Sequence, residues 1–251
     1  MRMPVIFVGH GSPMNAIEEN DFTKSWEVIG EKIPVPKAIL SISAHWQTKG
    51  TRVNDSVDPR QIYDFYGFPQ KLYEVVYNVA GSDELANRVI EILGDQVTVD
   101  NSWGIDHGTW SVLSKVYPKA DVPVVQLSLN YDMSPIDHLE LGKKLSVLRD
   151  EGYLIFGSGN IVHNLGIIDW SLEGGFNWAD EFDVMVKEHI LSGEYEPLIE
   201  LGNGGILPVP TREHYLPLLV CLGAVGGVDI VEIFNESRIL GSISMTSYLF
   251  K

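Results

Sequence analysis

Residues 4–13 read Pro-Val-Ile-Phe-Val-Gly-His-Gly-Ser-Pro. The four residues 5–8 are all apolar and β-branched or aromatic, which predicts a strand buried on both faces of a parallel sheet. Glycine on either side of His10 indicates a tight turn where that strand ends. Ligands of open α/β sheets bind beyond the carboxyl ends of the strands, so His10 is predicted to lie where a ligand would bind. A structural histidine in a turn is the alternative, because one histidine alone does not define a site.

Histidine recurs four more times at a predicted strand exit, in a glycine-flanked turn or at a helix start. These residues are His45 after the strand 38–44, His107 before the helix 111–116, His163 after the strand 153–156, and His214 in the first turn of a helix over 211–224. Imidazole is the commonest metal-binding side chain, and the carboxyl ends of parallel strands meet at one edge, so the pattern predicts one shared site. Zn(II) or Fe(II) needs about three protein ligands, which leaves the other histidines free to transfer protons. His138 and His189 lie within predicted helices, and we expect both on solvated faces.

The remaining segments alternate between predicted strands and helices. Helices are predicted over 22–29, 83–93, 134–149 and 179–191, strands over 72–79, 122–129, 228–234 and 242–250, and an irregular aromatic loop over 61–69. This alternation predicts an α/β fold in which helices cover a sheet. No linker composition divides the chain, so we expect one domain over residues 1–251.

Composition restricts the classes of partner. Hydrophobic residues make up 45% of the 251 residues, which is enough for a sizeable core. The 18 basic and 34 acidic side chains give a net charge of −16, which disfavours nucleic acid and anionic membrane surfaces as partners. No apolar run approaches the roughly 18 residues of a membrane span, and the N-terminus lacks the pattern of a signal peptide. Cys221 is the single cysteine, so a disulfide within the chain is excluded and a reducing cytoplasm is the expected compartment.

Several common site motifs are missing from the sequence. It has no cysteine pairs and no His-Glu-x-x-His, so neither a structural zinc finger nor a zincin is supported. The glycine-rich segment 157–160 matches neither Gly-x-Gly-x-x-Gly nor the Walker pattern, and it lacks the Gly-x-Ser-x-Gly turn of serine hydrolases. The histidines therefore remain the candidate site.

Seven motifs, taken together and in order, resemble those of the extradiol ring-cleavage dioxygenases of the LigB superfamily, in the branch similar to 4,5-DOPA dioxygenase. They are Gly-His-Gly-Ser-Pro at 9–13, Ser-Ala-His-Trp at 43–46, Asp-Phe-Tyr-Gly-Phe-Pro at 64–69, Asp-His-Gly-Thr-Trp at 106–110, Pro-Val-Val-Gln-Leu-Ser at 123–128, Gly-Ser-Gly-Asn-Ile-Val-His-Asn at 157–164 and Arg-Glu-His-Tyr-Leu-Pro-Leu at 212–218. Several of these motifs are weak individually, but their order is specific. The resemblance covers nearly the whole chain.

The resemblance implies a fold and a set of site residues. The fold is a single LigB-like, phosphorylase/hydrolase-like α/β domain, in which helices flank a central mixed, mostly parallel sheet with a metal site at one end. His10, His45 and His214 match the family's metal-ligand positions. His163 matches a position that is either a further ligand in zinc-bound forms or the acid/base residue beside an iron. His107 matches a histidine near the substrate that either takes part in catalysis or contacts the metal ligands from behind.

The resemblance also implies a reaction, in which O2 cleaves the ring of a catecholic, DOPA-like substrate to give a muconic semialdehyde. The small-molecule partners are then the catechol and O2. The cofactor is one divalent metal ion per chain, with Fe(II) required for turnover and Zn(II) plausible as the bound or native metal. A common non-haem iron site has two histidines and a carboxylate, whereas the third matched position here is His214, and Glu213 beside it is expected to point elsewhere. An all-histidine set also suits Zn(II), which performs no redox chemistry.

Other functions stay open on the sequence. A zinc-dependent hydrolase could use the same scaffold, and the Memo-type branch of the superfamily suggests a peptide-binding protein without catalysis. The Val-Gly-His-Gly-Ser opening also resembles chelatases that insert cobalt or iron into tetrapyrroles, although those modules are usually shorter. The sequence specifies neither the oligomeric state nor the substrate. Six aromatic side chains could form a wall for a flat ring or pack in the core, namely Trp46, Tyr63, Phe65, Tyr66, Phe68 and Trp110.

Overall fold

A mixed sheet of eight strands forms the centre of the fold in the computed structural model, which describes residues 2–251. The strands in chain order are β1 (Val5–Gly9), β2 (Ile39–Thr48), β3 (Thr51–Val53), β4 (Val97–Val99), β5 (Val124–Asn130), β6 (Leu154–Gly159), β7 (Val231–Phe234), β8 (Arg238–Ile239), β9 (Ile243–Ser244) and β10 (Ser247–Phe250). Their order across the sheet is β4-β3-β5-β2-β6-β1-β10-β7, while β8 and β9 pair with each other as a small ribbon.

The middle of the sheet is parallel and its margins are mixed. The neighbours β5, β2, β6 and β1 all run in one direction. On one side β10 is antiparallel to β1 and to β7, and on the other side β3 is antiparallel to β5 and parallel to β4. The predicted central mixed, mostly parallel sheet is therefore confirmed. Its parallel strands end at the same edge, where ligands of such sheets bind.

Helices lie on both faces of the sheet. They are α1 (Asp21–Lys32), α2 (Gln70–Tyr73), α3 (Asp83–Leu93), α4 (His107–Val116), α5 (Pro135–Leu145), α6 (Val147–Asp150), α7 (Asn177–Ser192), α8 (Glu196–Leu201) and α9 (Leu216–Ala224), with short 3-10 turns at Pro13–Ala16, Gly94–Gln96 and Leu165–Ile167. The helix α1 packs against α4, while α9 packs against α5, β6 and β1. Every residue of α9 is buried, which fits its almost entirely apolar sequence.

Alternate residues of β1 face two separate cores. Val5 and Phe7 belong to the core on the α5 and α9 side, whereas Ile6 and Val8 belong to the core on the α1 and α4 side. All five residues of β1 are buried. The prediction of a strand covered on both faces is confirmed, because an uninterrupted apolar run is what such a strand requires.

The predicted strand over 72–79 is wrong. Leu72 lies in α2, and the chain that follows lies on the core without a strand partner, with Tyr77 and Val79 buried and Asn78 between them exposed. Side chains replace the missing ladder: Gln61 accepts from the backbone nitrogen of Tyr77 at 2.7 Å, and the Tyr63 hydroxyl donates to the Val75 carbonyl at 2.6 Å. The side chains of this segment therefore alternate between buried and exposed positions although the segment is not part of the sheet.

The expectation that His138 is solvated is also wrong. His138 on α5 is fully buried, and its Nδ1 lies 3.0 Å from the Ser134 carbonyl oxygen one turn earlier. The close packing of α5 against α9 covers this face of the helix. The predicted helix over 134–149 is divided at Ser146, which separates α5 from α6. Among residues 2–251, no helix combines the length and the apolar character needed to cross a bilayer.

Candidate active site

Three histidines bring one ring nitrogen each to a single point at the carboxyl ends of the central strands. His10 follows β1, His45 lies in β2, and His214 lies in the turn before α9 rather than in the first turn of a helix as predicted. One nitrogen of each lies within 4.8 Å of the other two, and the Nε2 atoms of His10 and His45 are 3.1 Å apart. Two nitrogens bound at about 2.0–2.1 Å to one tetrahedral ion would be about 3.3 Å apart. The cluster therefore has the spacing that one metal ion requires.

An irregularity in β2 lies beside this point. Ile42 of β2 pairs with Leu127 of β5, whereas Gln47 pairs with Leu129. An advance of five residues in β2 therefore corresponds to an advance of only two residues in β5. The residues between these pairs, including His45, leave the regular ladder, and a bulge of this kind redirects side chains. The strand therefore continues past residue 44, where the sequence predicts its end.

Close packing around the histidines depends on glycine. A Cβ on Gly108 would lie 2.6 Å from Ser43 Oγ and 3.0 Å from His45 Cδ2. A Cβ on Gly159 would lie 2.1 Å from the carbonyl oxygen of His214. The absence of side chains at these two positions allows the start of α4 and the turn before α9 to approach the ends of the strands.

Oxygen atoms lie behind the converging rings. The Ser158 hydroxyl donates to the Gly108 carbonyl at 2.6 Å, so it accepts from Nδ1–H of His10, which is 3.0 Å away. The Nδ1 atom of His214 lies 3.2 Å from Glu213 Oε1. With Nδ1 protonated in both rings, each Nε2 presents a lone pair, which is the form of imidazole that binds a metal.

The Glu213 carboxylate lies behind the His214 ring and is not part of the group formed by His10, His45 and His214. Its carboxylate contacts the Nδ1 atom of His214 and accepts a hydrogen bond from the Thr211 hydroxyl at 2.7 Å. Glu213, His163 and His214 also form a group whose ligand atoms lie within 4.8 Å of one another. The carboxylate thus lies beside the cluster, behind the imidazole that the sequence predicts as a ligand.

Asp64 is a site residue that the sequence reasoning missed. Its Oδ2 lies 3.1 Å from His45 Nδ1 and its Oδ1 lies 2.9 Å from His107 Nδ1. Neither Asp64 Oδ2 nor His107 Nδ1 has an aligned hydrogen-bond partner, so the carboxylate acts on the neighbouring imidazoles through the attraction of its charge for the N–H dipole at close range. In the sequence, Asp64 is marked only by its position at the start of the aromatic motif 64–69. A lone carboxylate in a loop is usually solvated, so this position alone does not predict a site residue.

His163 lies next to the cluster but in a different arrangement. Its ring is stacked on that of His214, with 3.5 Å between centroids and 10° between planes. His107 approaches from the other side, with its ring centroid 4.0 Å from that of His45. The structure therefore brings together all five histidines that the sequence selects, while His189 lies on α7 and contacts Glu194, with 3.7 Å between Nδ1 and Oε2.

Burial keeps most of these imidazoles neutral. Burial, followed by the neighbouring histidines, lowers the pKa of His10 and of His214 well below the usual value of about 6.5. Burial and the nearby His45 also lower the pKa of His107. For His163, burial lowers the pKa to about 4. Neutral imidazole is the form that can bind a metal or accept a proton.

Two groups depart from this pattern. Burial alone would lower the pKa of His45, but the carboxylates of Asp64, Asp106 and Glu213 offset it, so that the pKa is raised. Burial alone would raise the pKa of Asp64, but His107 and His45 lower it, so that the carboxylate is ionised. The ionised Asp64 carboxylate thus lies next to His45, the imidazole that most readily takes a proton.

The residues present fit a divalent metal ion. Two Nε2 atoms that both present lone pairs repel at 3.1 Å unless a cation or a shared proton lies between them. Three imidazole nitrogens are a donor set that suits Zn(II) and Fe(II), and three ligands leave coordination positions open for substrate. His10, His45 and His214 would hold the ion.

Only one of the six aromatic residues considered for the substrate wall contacts a site histidine by its ring. Phe65 meets the His107 ring edge-on, with 5.5 Å between centroids. Trp46 and Trp110 are buried in the core, and the Trp110 indole donates to the Ile62 carbonyl at 2.9 Å. Tyr66 is 93% exposed at the tip of the loop. Tyr63 and Phe68 pack on Phe65 and support it from behind.

Comparison with known proteins agrees with this geometry. The family model described as the catalytic LigB subunit of aromatic ring-opening dioxygenase matches residues 4–251. A protein of Escherichia coli K12 named 4,5-DOPA dioxygenase extradiol is 46% identical over 254 residues, which cover 98% of this chain and 94% of that protein. A Beta vulgaris protein of the same name is 39% identical, with 97% and 95% covered. The crystal structure of an uncharacterized protein from Escherichia coli K12 superposes with a TM-score of 0.87 at 42% identity and covers 100% of both chains.

Proposed function

This chain belongs to the LigB family of aromatic ring-opening dioxygenases, and on that premise we propose that it is an extradiol dioxygenase acting on DOPA-like catechols. The reaction cleaves the ring beside its pair of hydroxyls and adds both atoms of O2 to give a muconic semialdehyde. No external reductant is needed, because the four electrons that reduce O2 come from the ring that is opened. The matched relatives named 4,5-DOPA dioxygenase extradiol support the substrate class.

One observation of the site supports this function above the others. His10, His45 and His214 converge through neutral imidazoles at the carboxyl end of a parallel sheet, with two further histidines beside them. A structural zinc site would be closed by four ligands, whereas three ligands leave room for a substrate and O2. We propose Fe(II) as the metal for turnover, and Zn(II) as a metal that the same nitrogen set would also hold.

The metal, when bound, supplies the charge that favours ionised catechol and the redox chemistry toward O2. Residues of the chain orient the ring and handle protons around it. Phe65 stands edge-on to His107 and offers an apolar face against which a flat ring can pack. Holding the substrate in this way places its two hydroxyls toward the histidine cluster and lowers the entropic part of the barrier.

We assign proton transfer to His163. Its ring is neutral at pH 7 because burial lowers its pKa to about 4, so a ring nitrogen is free to accept a proton from a catechol hydroxyl. Its stacking on His214 supports this role over that of a fourth ligand, because parallel rings direct their in-plane lone pairs side by side rather than at one point. The proton that His163 takes up returns to the product when the opened ring leaves.

We assign substrate contact to His107. Asp64 lies against its Nδ1, which leaves Nε2 available to hydrogen-bond an oxygen of the bound ring. Burial keeps this imidazole neutral, so it offers a hydrogen bond without adding a positive charge near the metal. Both catalytic assignments rest on position and protonation state.

The proposal treats residues 1–251 as one catalytic domain, supported by a single continuous sheet and by the family match over 4–251. The partners are a small aromatic substrate and O2. A net charge of −16 makes nucleic acid and anionic membranes unfavourable partners, and one cysteine is consistent with a reducing cytoplasm as the compartment.

The proposal is tested by product analysis. Metal-free protein is reconstituted anaerobically with Fe(II) and then mixed in air with L-DOPA, dopamine or catechol, with tyrosine as the monophenol control. We expect a yellow product whose mass is that of the catechol plus two oxygen atoms, or that mass less one water where the amine of L-DOPA or dopamine condenses with the new aldehyde, and none from tyrosine. No product from any catechol at confirmed Fe(II) occupancy would contradict the proposal and favour a zinc hydrolase or a binding protein.

A further inference from the structure

The Asp64 carboxylate lies between two imidazoles that belong to different elements of the fold. Its Oδ2 lies 3.1 Å from Nδ1 of His45 in β2, and its Oδ1 lies 2.9 Å from Nδ1 of His107 at the start of α4. Oδ1 also accepts a hydrogen bond from the backbone nitrogen of His107 at 3.0 Å. One carboxylate therefore contacts a proposed metal ligand, a proposed catalytic residue and the first turn of a helix.

The loop that contains Asp64 is fixed to the segment that contains His107. Ile62 donates its backbone N–H to the Ile105 carbonyl and Ile105 donates to the Arg60 carbonyl, both at 2.8 Å. The side chain of Asp64 is only 11% exposed. These contacts hold the carboxylate in place relative to both histidines, as a positioning role requires.

We propose that Asp64 is a positioning residue of the ring-opening reaction, acting through His45 on the metal and through His107 on the substrate. The proposal rests on the function assigned above. A carboxylate against Nδ1 favours the tautomer in which Nδ1 is protonated and Nε2 presents its lone pair. The Nε2 lone pair of His45 then faces His10. The Nε2 lone pair of His107 is available to the substrate.

The charge of Asp64 compensates for the composition of the proposed ligand set. A common non-haem iron site places a carboxylate directly on the metal, whereas His10, His45 and His214 are all uncharged ligands. Asp64 places its negative charge one imidazole away from the metal, and a carboxylate in this position raises the basicity of the histidine it contacts. Glu213 has the same relation to His214, but Asp64 additionally contacts His107.

The first test measures metal affinity without substrate. Metal-free wild type, Asp64→Asn and Asp64→Ala are titrated with Co(II) against a chelator, and the visible Co(II) spectrum is recorded. We expect Co(II) to bind about 10- to 100-fold more weakly to both variants, the usual effect of removing a partner behind a ligand. The matched control is Asp58→Asn, which removes the same charge from an exposed position six residues earlier and is expected to bind like wild type.

The second test separates the two paths by which Asp64 acts. At saturating Fe(II), Asp64→Asn is expected to lower kcat for L-DOPA by more than tenfold. In a protein that already carries His107→Ala, Asp64→Asn should change kcat little, because Asp64 can then no longer act on the substrate through His107. Its effect on Co(II) affinity should persist in that background, because it acts through His45.

Two results would overturn the inference. One is Co(II) affinity in Asp64→Asn and Asp64→Ala within twofold of Asp58→Asn. The other is an equal loss of kcat on Asp64→Asn with and without His107, which would indicate a general structural effect. If wild type opened no catechol at all, the proposed function would fail, while the Co(II) titration would still decide whether Asp64 acts on His45.

Discussion

The imidazole of His163 lies face to face with that of His214, with 3.5 Å between ring centroids and 10° between ring planes. His214 forms the metal-sized group with His10 and His45. Each ring directs its nitrogen lone pairs within its own plane, and two nearly parallel planes at van der Waals distance do not meet at one ion. The stacking supports an acid/base role for His163 and separates it from the three proposed ligands.

The first prediction concerns His163. His163→Ala should retain the metal and lower kcat by about 10²- to 10⁴-fold, the usual contribution of a positioned proton-transfer group. Elemental analysis gives the metal content and oxygen uptake gives kcat. His189→Ala is the control, because that histidine lies away from the site on α7. Loss of the metal together with activity would contradict the assignment and make His163 a ligand.

The second prediction concerns His10. His10→Ala removes one of three proposed ligands, and with it the nitrogen that lies 3.1 Å from His45. We expect the variant to fold, to bind Co(II) at least 100-fold more weakly than wild type, and to consume no oxygen with Fe(II) and L-DOPA. Circular dichroism checks the fold and chelator competition gives the affinity. Wild-type metal affinity in a folded variant would exclude His10 as a ligand.

The third prediction is the pH dependence of metal binding. Burial opposes protonation of His45, but Asp64, Asp106 and Glu213 raise its pKa, so a proton competes with the metal for this imidazole. Affinity for Co(II) should therefore rise with pH through and above about 6.5, by up to tenfold per pH unit while one proton is displaced. Titration calorimetry in two buffers of different ionisation enthalpy measures the released protons. Affinity independent of pH, with no proton released, would contradict this.

The fourth prediction concerns stability and His138. Burial lowers the pKa of His138. Above about pH 6.5 the imidazole is neutral in the folded and in the unfolded chain, so its contribution to the free energy of unfolding is fully present. Below that pH the unfolded chain binds a proton that the folded chain does not, and stability falls toward the lower folded pKa.

The effect is measured by urea unfolding of metal-free protein between pH 7 and 5.5. The free energy of unfolding should fall more steeply with acid in wild type than in His138→Gln, by at most about 1.4 kcal/mol per pH unit. Equal slopes in wild type and His138→Gln would show that His138 takes up no extra proton on unfolding.

The fifth prediction concerns Gly108. A Cβ there would lie 2.6 Å from Ser43 Oγ and 3.0 Å from the His45 ring. Gly108→Ala should cost about 1–3 kcal/mol of stability and weaken Co(II) binding by displacing His45. Gly174→Ala is the control, because no atom lies within 4 Å of its added Cβ. Metal affinity equal to that of the control would show that His45 is not displaced.

Local sequence pattern accounts for the fold and for the histidines of the site. An unbroken apolar run is sufficient to identify β1 as a central strand, and its glycine-flanked exit places His10 at the edge where the other parallel strands also end. The same pattern places His45 and His163 near strand ends. What the sequence could not supply was their relative orientation, such as the stacking of His163 on His214 or the bulge in β2 beside His45.

The features that sequence reasoning missed depend on contacts between distant segments. Asp64 is separated from His107 by 43 positions, and no local pattern shows that its loop folds across the end of β2. His138 has a polar neighbourhood in the sequence, but α9 covers its helix face. Residues 72–79 alternate in burial as a strand would, yet Gln61 and Tyr63 satisfy their backbone groups. In each case the partner that decides the structure lies in another segment of the chain.

Oxygen consumption by the reconstituted protein distinguishes a metal-dependent ring-opening enzyme from a zinc hydrolase or a binding protein. Metal-free wild type is loaded with Fe(II) or with Zn(II), L-DOPA is added in a closed electrode cell, and ring-opened product is quantified by absorbance. We expect one O2 consumed per product formed with Fe(II), none with Zn(II), and none with Fe(II)-treated His10→Ala. Absence of oxygen uptake at full Fe(II) occupancy, or equal uptake by His10→Ala, would contradict a metal-dependent extradiol dioxygenase built on these histidines.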